Sequence, residues 1–285
     1  MKKLISIVIF TCIIFNFSVG IFAYNQQNSI NYVALGDSIA LGFQPNEVKL
    51  NNTCYADLFK KYLEKSFENV NFKNYAISGQ TSKKMISQVN DLDLSSADII
   101  TISVGSNDLL KPFSKIICDS LGSKDENETK QALKDLITSL KSSNVLAFIK
   151  IYLIINNILK NGKLFDSYVE SFEENLNCII KTIKEKNPNA KIIVTNFYNP
   201  YAFMECFGLK SLTNFTNNII KKINEKTKKL AEDNKFDLVD ISFIGYNKDY
   251  LNVILDDDNF MIDPHPNQKG HNKIYESIIN TIKIN

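Results

Sequence analysis

The chain contains no arginine: all 33 of its basic residues are lysine. Planar, bidentate recognition of phosphate or carboxylate by a guanidinium group is therefore excluded. Histidine is almost as scarce. Only His265 and His271 are present, so any imidazole chemistry must use one of these two. The five cysteines, Cys12, Cys54, Cys118, Cys178 and Cys206, have no metal-site spacing. Nor does their spacing pair them, and a domain this large does not need disulfides even in an oxidising compartment. Mostly buried free thiols are the plainer reading. An excess of charge is missing too: the 33 lysines face 31 acidic residues, and without Lys2 and Lys3 the two signs balance. There is no basic footprint for nucleic acid and no acidic tail. Internal repeats, low-complexity linkers and a second domain boundary are likewise absent.

What is present begins with an export-like segment over residues 1–23. Lys2 and Lys3 precede the apolar run Leu4 to Phe15, and Ser18, Gly20 and Ala23 offer small residues for cleavage. Cleavage after Ala23 or Gly20 is the expectation, which places the product outside the cell or on its surface. The alternative is a membrane anchor made of residues 4–23, a span that Asn16 and Ser18 weaken. Cys12 has a poor context for lipidation. Residues 24–285 then form one large domain, and at 44% hydrophobic the chain can fill its core.

Apolar, β-rich runs alternate with amphipathic stretches. Strands are expected at Ile30–Leu35, Val70–Ala76, Ile99–Val104, Lys191–Thr195 and Phe236–Ile241. Tyr55, Leu58, Phe59, Tyr62, Leu63 and Phe67 repeat with helical spacing, as do Phe165 to Ile183, Leu212 to Ile223 and Ile274 to Ile282. Strand–helix alternation predicts an α/β fold with a parallel sheet covered on both faces, whose post-strand loops share one edge. Ligands of such sheets bind at that edge. Residues 111–164 exceed the minimal unit and read as a helical insertion. Lys124 to Lys130 is a solvated loop or helix start. Val145 to Leu159 reads as a core helix, with a lid or a membrane-contacting helix as alternatives.

Four segments fall where such loops converge: Gly36-Asp37-Ser38, Asn74 to Gly79, Gly105-Ser106-Asn107-Asp108 and Asp263-Pro264-His265-Pro266-Asn267. Ser38 follows a strand and is a candidate nucleophile. Gly79 lacks a Cβ, so its N–H can approach a substrate oxygen, and Asn107 can donate its side-chain amide to an oxyanion. His265, between two prolines that restrict its backbone, is the candidate base. His271, inside the final helix, reads as surface or structural. Asp263 is placed to hold the tautomer of His265, while the run Asp256, Asp257 and Asp258 reads as a solvated loop. Taken singly, each segment is an ordinary turn or cap. Their conjunction supplies a nucleophile, a base and oxyanion donors together.

These segments resemble the ordered blocks of the GDSL-type, or SGNH-type, lipase/acylhydrolase family. Leu35 to Ser38 matches the first block, Asn74 to Ser82 the second, Val104 to Asp108 the third and His265-Pro266-Asn267 the last. The resemblance implies a three-layer α/β/α sandwich, flavodoxin-like, around a five-stranded parallel sheet. It implies Ser38 as nucleophile, His265 as base, and an oxyanion hole from the N–H groups of Ser38 and Gly79 and the Asn107 side chain. No metal or cofactor is implied. One position departs from the family pattern: the Asp usually lies three residues before the His, where this chain has Ile262. Either Asp263 or a backbone carbonyl then orients His265.

The expected activity is hydrolysis of a small-molecule or lipid ester through an acyl-enzyme, with turnover falling in mild acid as the histidine protonates. Lipase and carbohydrate O-deacetylase are both open. The stretch Phe197 to Met204 either lines an acyl pocket or packs in the core. A non-catalytic surface binding module on the same fold is the reading from another class.

Overall fold

The computed structural model describes residues 27–43, 53–141, 144–202, 205, 208–254 and 261–282. The export-like segment, the Asp256–Asp258 run, Phe203, Met204 and Cys206 lie outside the described residues. Five strands form one parallel sheet: β1 (Gln27–Gly36), β2 (Phe67–Asn74), β3 (Ile99–Ser103), β4 (Lys191–Thr195) and β5 (Asp237–Val239). Their spatial order is β2-β1-β3-β4-β5, the flavodoxin-like arrangement.

Side-chain alternation along the strands divides the core into two layers. Val33, Leu35, Ile100, Ile102, Ile192 and Val194 face one side. Ile30, Tyr32, Ala34, Ile99, Ile193 and Val239 face the other. The first side is covered by α3 (Ser82–Asp91), α4 (Ser106–Leu121), α7 (Gly162–Lys186) and α8 (Lys210–Asn234). The second is covered by the short α1 (Ser38–Leu41), α2 (Tyr55–Leu63) and α9 (Gln268–Thr281). Central β3 is buried along its whole length. Truncating a side chain such as Ile102 to alanine there costs about 2–5 kcal/mol.

The described residues of 111–164 are mostly helical. They comprise most of α4, then α5 (Glu126–Lys141) and α6 (Val145–Lys160). The reading of Val145 to Leu159 as a core helix is corrected by its packing. Ala147, Ile154 and Ile158 are buried, but the opposite side of α6 is open to solvent. An all-round apolar helix carries too little periodicity to reveal which side is left uncovered. The thiols are corrected as well: of the three described, all free, Cys54 is buried, Cys118 half-buried and Cys178 exposed.

The last quarter holds an element absent from the sequence reading. β6 (Leu251–Ile254) and β7 (Met261–Pro266) pair antiparallel in a separate two-stranded ribbon. Opposite Leu251 and Asn252 stand Pro266 and Asp263, so Pro264 and His265 bulge out of the ladder. Bulges re-aim side chains, and this one carries a histidine. Asn267 then caps α9 by accepting from the Gly270 N–H at 3.1 Å, while its Nδ2 donates to the carbonyls of Asp249 and Leu251. The reading of His271 as surface or structural resolves to the core, where it is 1% exposed.

Candidate active site

β1 ends at Gly36 because the chain must pass close to its neighbours there. A Cβ at Gly36 would sit 2.5 Å from the Ala40 Cβ and 2.6 Å from the Ser103 carbonyl oxygen. Asp37 follows as the cap of α1, its Oδ1 accepting the Ile39 N–H at 3.0 Å, and its own N–H donates to the Ser103 carbonyl. Ser38 is thereby set at the first turn of α1, at the carboxyl edge of the sheet. Asn74, from the second block, braces this turn by donating to the Ala40 carbonyl at 2.9 Å.

The Ser38 hydroxyl lies 2.8 Å from Nε2 of His265. On the other side of the ring, Nδ1 lies 2.7 Å from Oδ1 of Asp263. The same carboxylate oxygen accepts the His265 backbone N–H at 2.8 Å. The bulge in β7 explains how an Asp two residues before the His reaches its ring: the chain folds back over Asp263 instead of running straight. The His265 carbonyl is itself occupied, accepting from Asn252 Nδ2 at 3.1 Å. Phe43 packs against the imidazole with ring centres 4.9 Å apart. His265 and Asp263 remain about one-fifth exposed, so the arrangement opens to solvent.

The third block reaches the same place from β3. Gly105 has a φ of +114°, and a Cβ on it would strike the Phe172 ring at 2.4 Å, so only glycine fits. Asn107 follows in the first turn of α4. Its Nδ2 donates to the Gln80 carbonyl at 3.0 Å and lies 3.5 Å from Oδ2 of Asp37. Gly79 sits in the exposed turn after β2, one residue before that carbonyl. Asp108 ties the second block to the third, accepting from the Ser82 hydroxyl at 2.6 Å and the Ser82 N–H at 2.9 Å. Burial pushes its carboxyl up against those hydrogen bonds.

Sequence reasoning passed over Asp37. It is fully buried, and desolvation raises its carboxyl to about 7, against the opposing pull of the Ile39 hydrogen bond and of nearby His265. An acidic residue beside a candidate nucleophile was the available signal. Asn199 was missed in the same way. It holds the loop after β4 by donating to Thr216 and Asn217 and accepting from the Tyr201 N–H.

Ser38, Asn107 and His265 line the mouth of one cleft of about 640 Å³, counted out to its open side. Its walls are apolar, with Leu109, Leu110 and Phe113 from α4 facing Ile219 and Ile220 from α8. Phe197, Tyr198 and Tyr201 of the aromatic stretch close it. Both open readings of that stretch apply to Phe197, which is buried in the core and also lines the cleft. Among the described residues, no cluster of three His, Cys, Asp or Glu is placed to hold a metal ion.

The sequence matches the model of the GDSL-like Lipase/Acylhydrolase family over residues 34–273. It is 23% identical over 263 residues to the uncharacterized protein YpmR of Bacillus subtilis (strain 168), covering 90% of this chain and 83% of that one. The fold is similar to that of phospholipase A1 from Streptomyces albidoflavus NA297, with a TM-score of 0.58, 18% identity, and coverage of 88% of this chain and 99% of that one. It is also similar to the lipase Lip_vut3 from a goat rumen metagenome, with a TM-score of 0.57, 18% identity, and coverage of 88% and 97%.

Proposed function

Because the chain belongs to the GDSL-like lipase/acylhydrolase family, we propose that it is a serine esterase hydrolysing carboxylic esters whose acyl chain lies in the cleft between α4 and α8. The observation that carries this reading is the unbroken relay from Asp263 through His265 to the Ser38 hydroxyl, at the mouth of an apolar cleft. The apolar walls of the cleft favour an alkyl chain over a sugar.

In the proposed reaction, Nε2 of His265 takes the Ser38 proton as Oγ attacks the ester carbonyl. Asp263 holds the Nδ1–H tautomer and offsets the charge of the imidazolium. The oxyanion is received by the N–H groups of Ser38 and Gly79 and by the Asn107 amide, each donor contributing roughly 3 kcal/mol to the transition state. In the free site that amide is held by the Gln80 carbonyl, which fixes its direction in advance of substrate. His265 then protonates the leaving alcohol, and water, deprotonated by the same ring, frees the acid. Residues 1–23 would direct the protein out of the cytoplasm, which fractionation of cells followed by N-terminal sequencing tests.

The test is hydrolysis of p-nitrophenyl esters from acetate to palmitate, with Ser38→Ala alongside. Turnover on medium or long chains that the variant loses supports the reading. Activity confined to acetate replaces it with a carbohydrate O-deacetylase. No turnover and no labelling by a fluorophosphonate replaces it with a binding module.

A further inference from the structure

The outward side of α6 has no counterpart elsewhere on the described surface. Val145, Leu146, Phe148, Ile149, Tyr152 and Leu153 are 49–69% exposed. At 100° per residue these six share one arc of the helix, opposite the buried Ala147, Ile154 and Ile158. Contiguous apolar surface of this kind marks a contact face. Lys150 flanks the arc and Lys160 lies at its C-terminal end, both exposed. From Leu136 to Phe165 the chain has four lysines, Lys141, Lys150, Lys160 and Lys163, and no acidic residue.

The position of this face relates it to the cleft. α4, α5 and α6 pack on one another and are joined by short connections, so α6 runs in the same direction as α4. Asn157 donates to the Ser120 hydroxyl at 3.0 Å near both C-termini. The apolar N-terminal half of α6 is therefore set beside the N-terminal half of α4, which supplies Leu109, Leu110 and Phe113 to the cleft.

We propose that this face of α6 docks on an anionic lipid surface, lying in the headgroup region with the cleft mouth close to the bilayer. An apolar stripe flanked by lysine on a helix that carries no carboxylate fits that partner, since apolar burial and attraction to anionic headgroups act together. Crossing the bilayer is a poorer fit. α6 has 16 residues where a span needs about 20. Among the described residues no single helix is long and apolar enough, and the bent continuation into α7 is committed to the core through Phe165, Val169 and Phe172. A second copy of the chain fits less well too. A two-fold pair would set this face against itself, lysine against lysine with no carboxylate on α6 to offset them. The docking does not depend on the esterase reading; only the delivery of a lipid ester to Ser38 rests on it.

The chain contains no tryptophan, so Phe148→Trp in the full chain creates a single indole emitter on this face. With phosphatidylglycerol vesicles its emission is expected to shift to the blue and to be quenched by lipids brominated near the headgroup. Phosphatidylcholine vesicles should produce much less of either effect. Tyr62→Trp, on α2 in the opposite layer, should show neither. Adding Leu153→Asp should weaken the vesicle affinity reported by the α6 indole about 30-fold. Hydrolysis of a soluble short ester by Leu153→Asp should match the parent, and a protein that docks without hydrolysing any ester would sink the esterase reading alone. An indole that stays water-exposed while vesicles carry the protein down overturns the proposal, because another segment is then the anchor. Emission already blue without vesicles also overturns it, because the face is then covered by the chain's own residues or by a second copy.

Discussion

The two histidines stand six residues apart and have opposite surroundings. His265 sits in a bulge of a two-stranded ribbon, about one-fifth exposed, with a carboxylate on one ring nitrogen and a serine hydroxyl on the other. His271 sits on α9 in the core. Its Nδ1 accepts the Tyr55 N–H at 3.4 Å, and its buried Nε2 has no hydrogen-bond partner among the described residues. One ring joins a carboxylate to a hydroxyl and the other is sealed from water. Residue type therefore says little about which histidine is chemical; the partners on each nitrogen decide it.

The largest expected effect breaks the contrast outright. His265→Ala or Ser38→Ala should lower kcat by about 10⁵-fold or more, whereas His271→Gln should leave it near the parent value, as steady-state ester hydrolysis would show. Asp263→Asn tests whether the carboxylate makes the difference between the rings, and should cost about 10⁴-fold in kcat with KM little changed. Removing a donor instead of the base, Asn107→Ala should cost about 10²–10³-fold in kcat.

The smallest effect concerns stability, and there His271 is the active partner. Burial lowers its pKa from 6.5 to about 4. Between those values an unfolded chain takes up a proton that the folded chain refuses, so this histidine makes stability fall as pH falls from about 6.5 to 4. Asp37 has the reverse sign. Its pKa is raised by burial from 3.8 to about 7, so the folded chain keeps a proton that the unfolded chain releases, and stability falls as pH rises through that window. The two slopes oppose each other in the parent. Urea midpoints from pH 4 to 7.5 should rise with pH in Asp37→Asn, which retains a capping side chain, and fall with pH in His271→Gln. Parallel profiles in the two variants would contradict the assignment.

Much of the sheet could be read from the chain because central strands are continuous apolar runs. Lys191–Thr195 is found as expected, and Ile99–Val104 differs only at its last residue. Edge strands were less legible. β2 begins at Phe67, three residues earlier than expected, because its partly exposed residues alternate with polar ones. The four blocks were legible because each meets a local need of the backbone. Gly36 permits a close approach, Gly105 takes a positive φ, Asn74 braces a turn and Asn267 caps a helix. The ribbon was not legible, since two prolines and an acidic run hide any strand pattern, and its bulge exists only once β6 is in register. The burial of His271 had a signal in the sequence: it lies three and seven residues before Ile274 and Ile278, on the same helical stripe. The open side of α6 had none, because which flank of an apolar helix is covered depends on its neighbours.

The ribbon that carries His265 also fixes when the site can exist. Its partner Ser38 lies 227 residues earlier in the chain. At cellular rates of synthesis Ser38 emerges roughly 10–50 s before His265, and β1 cannot take its place between β2 and β3 until those strands have followed it. Until the ribbon has followed, Ser38 has no imidazole beside it. The contacts of Asp263, His265 and Ser38 form only when the ribbon and α9 dock, so the site is assembled long after its serine has been made.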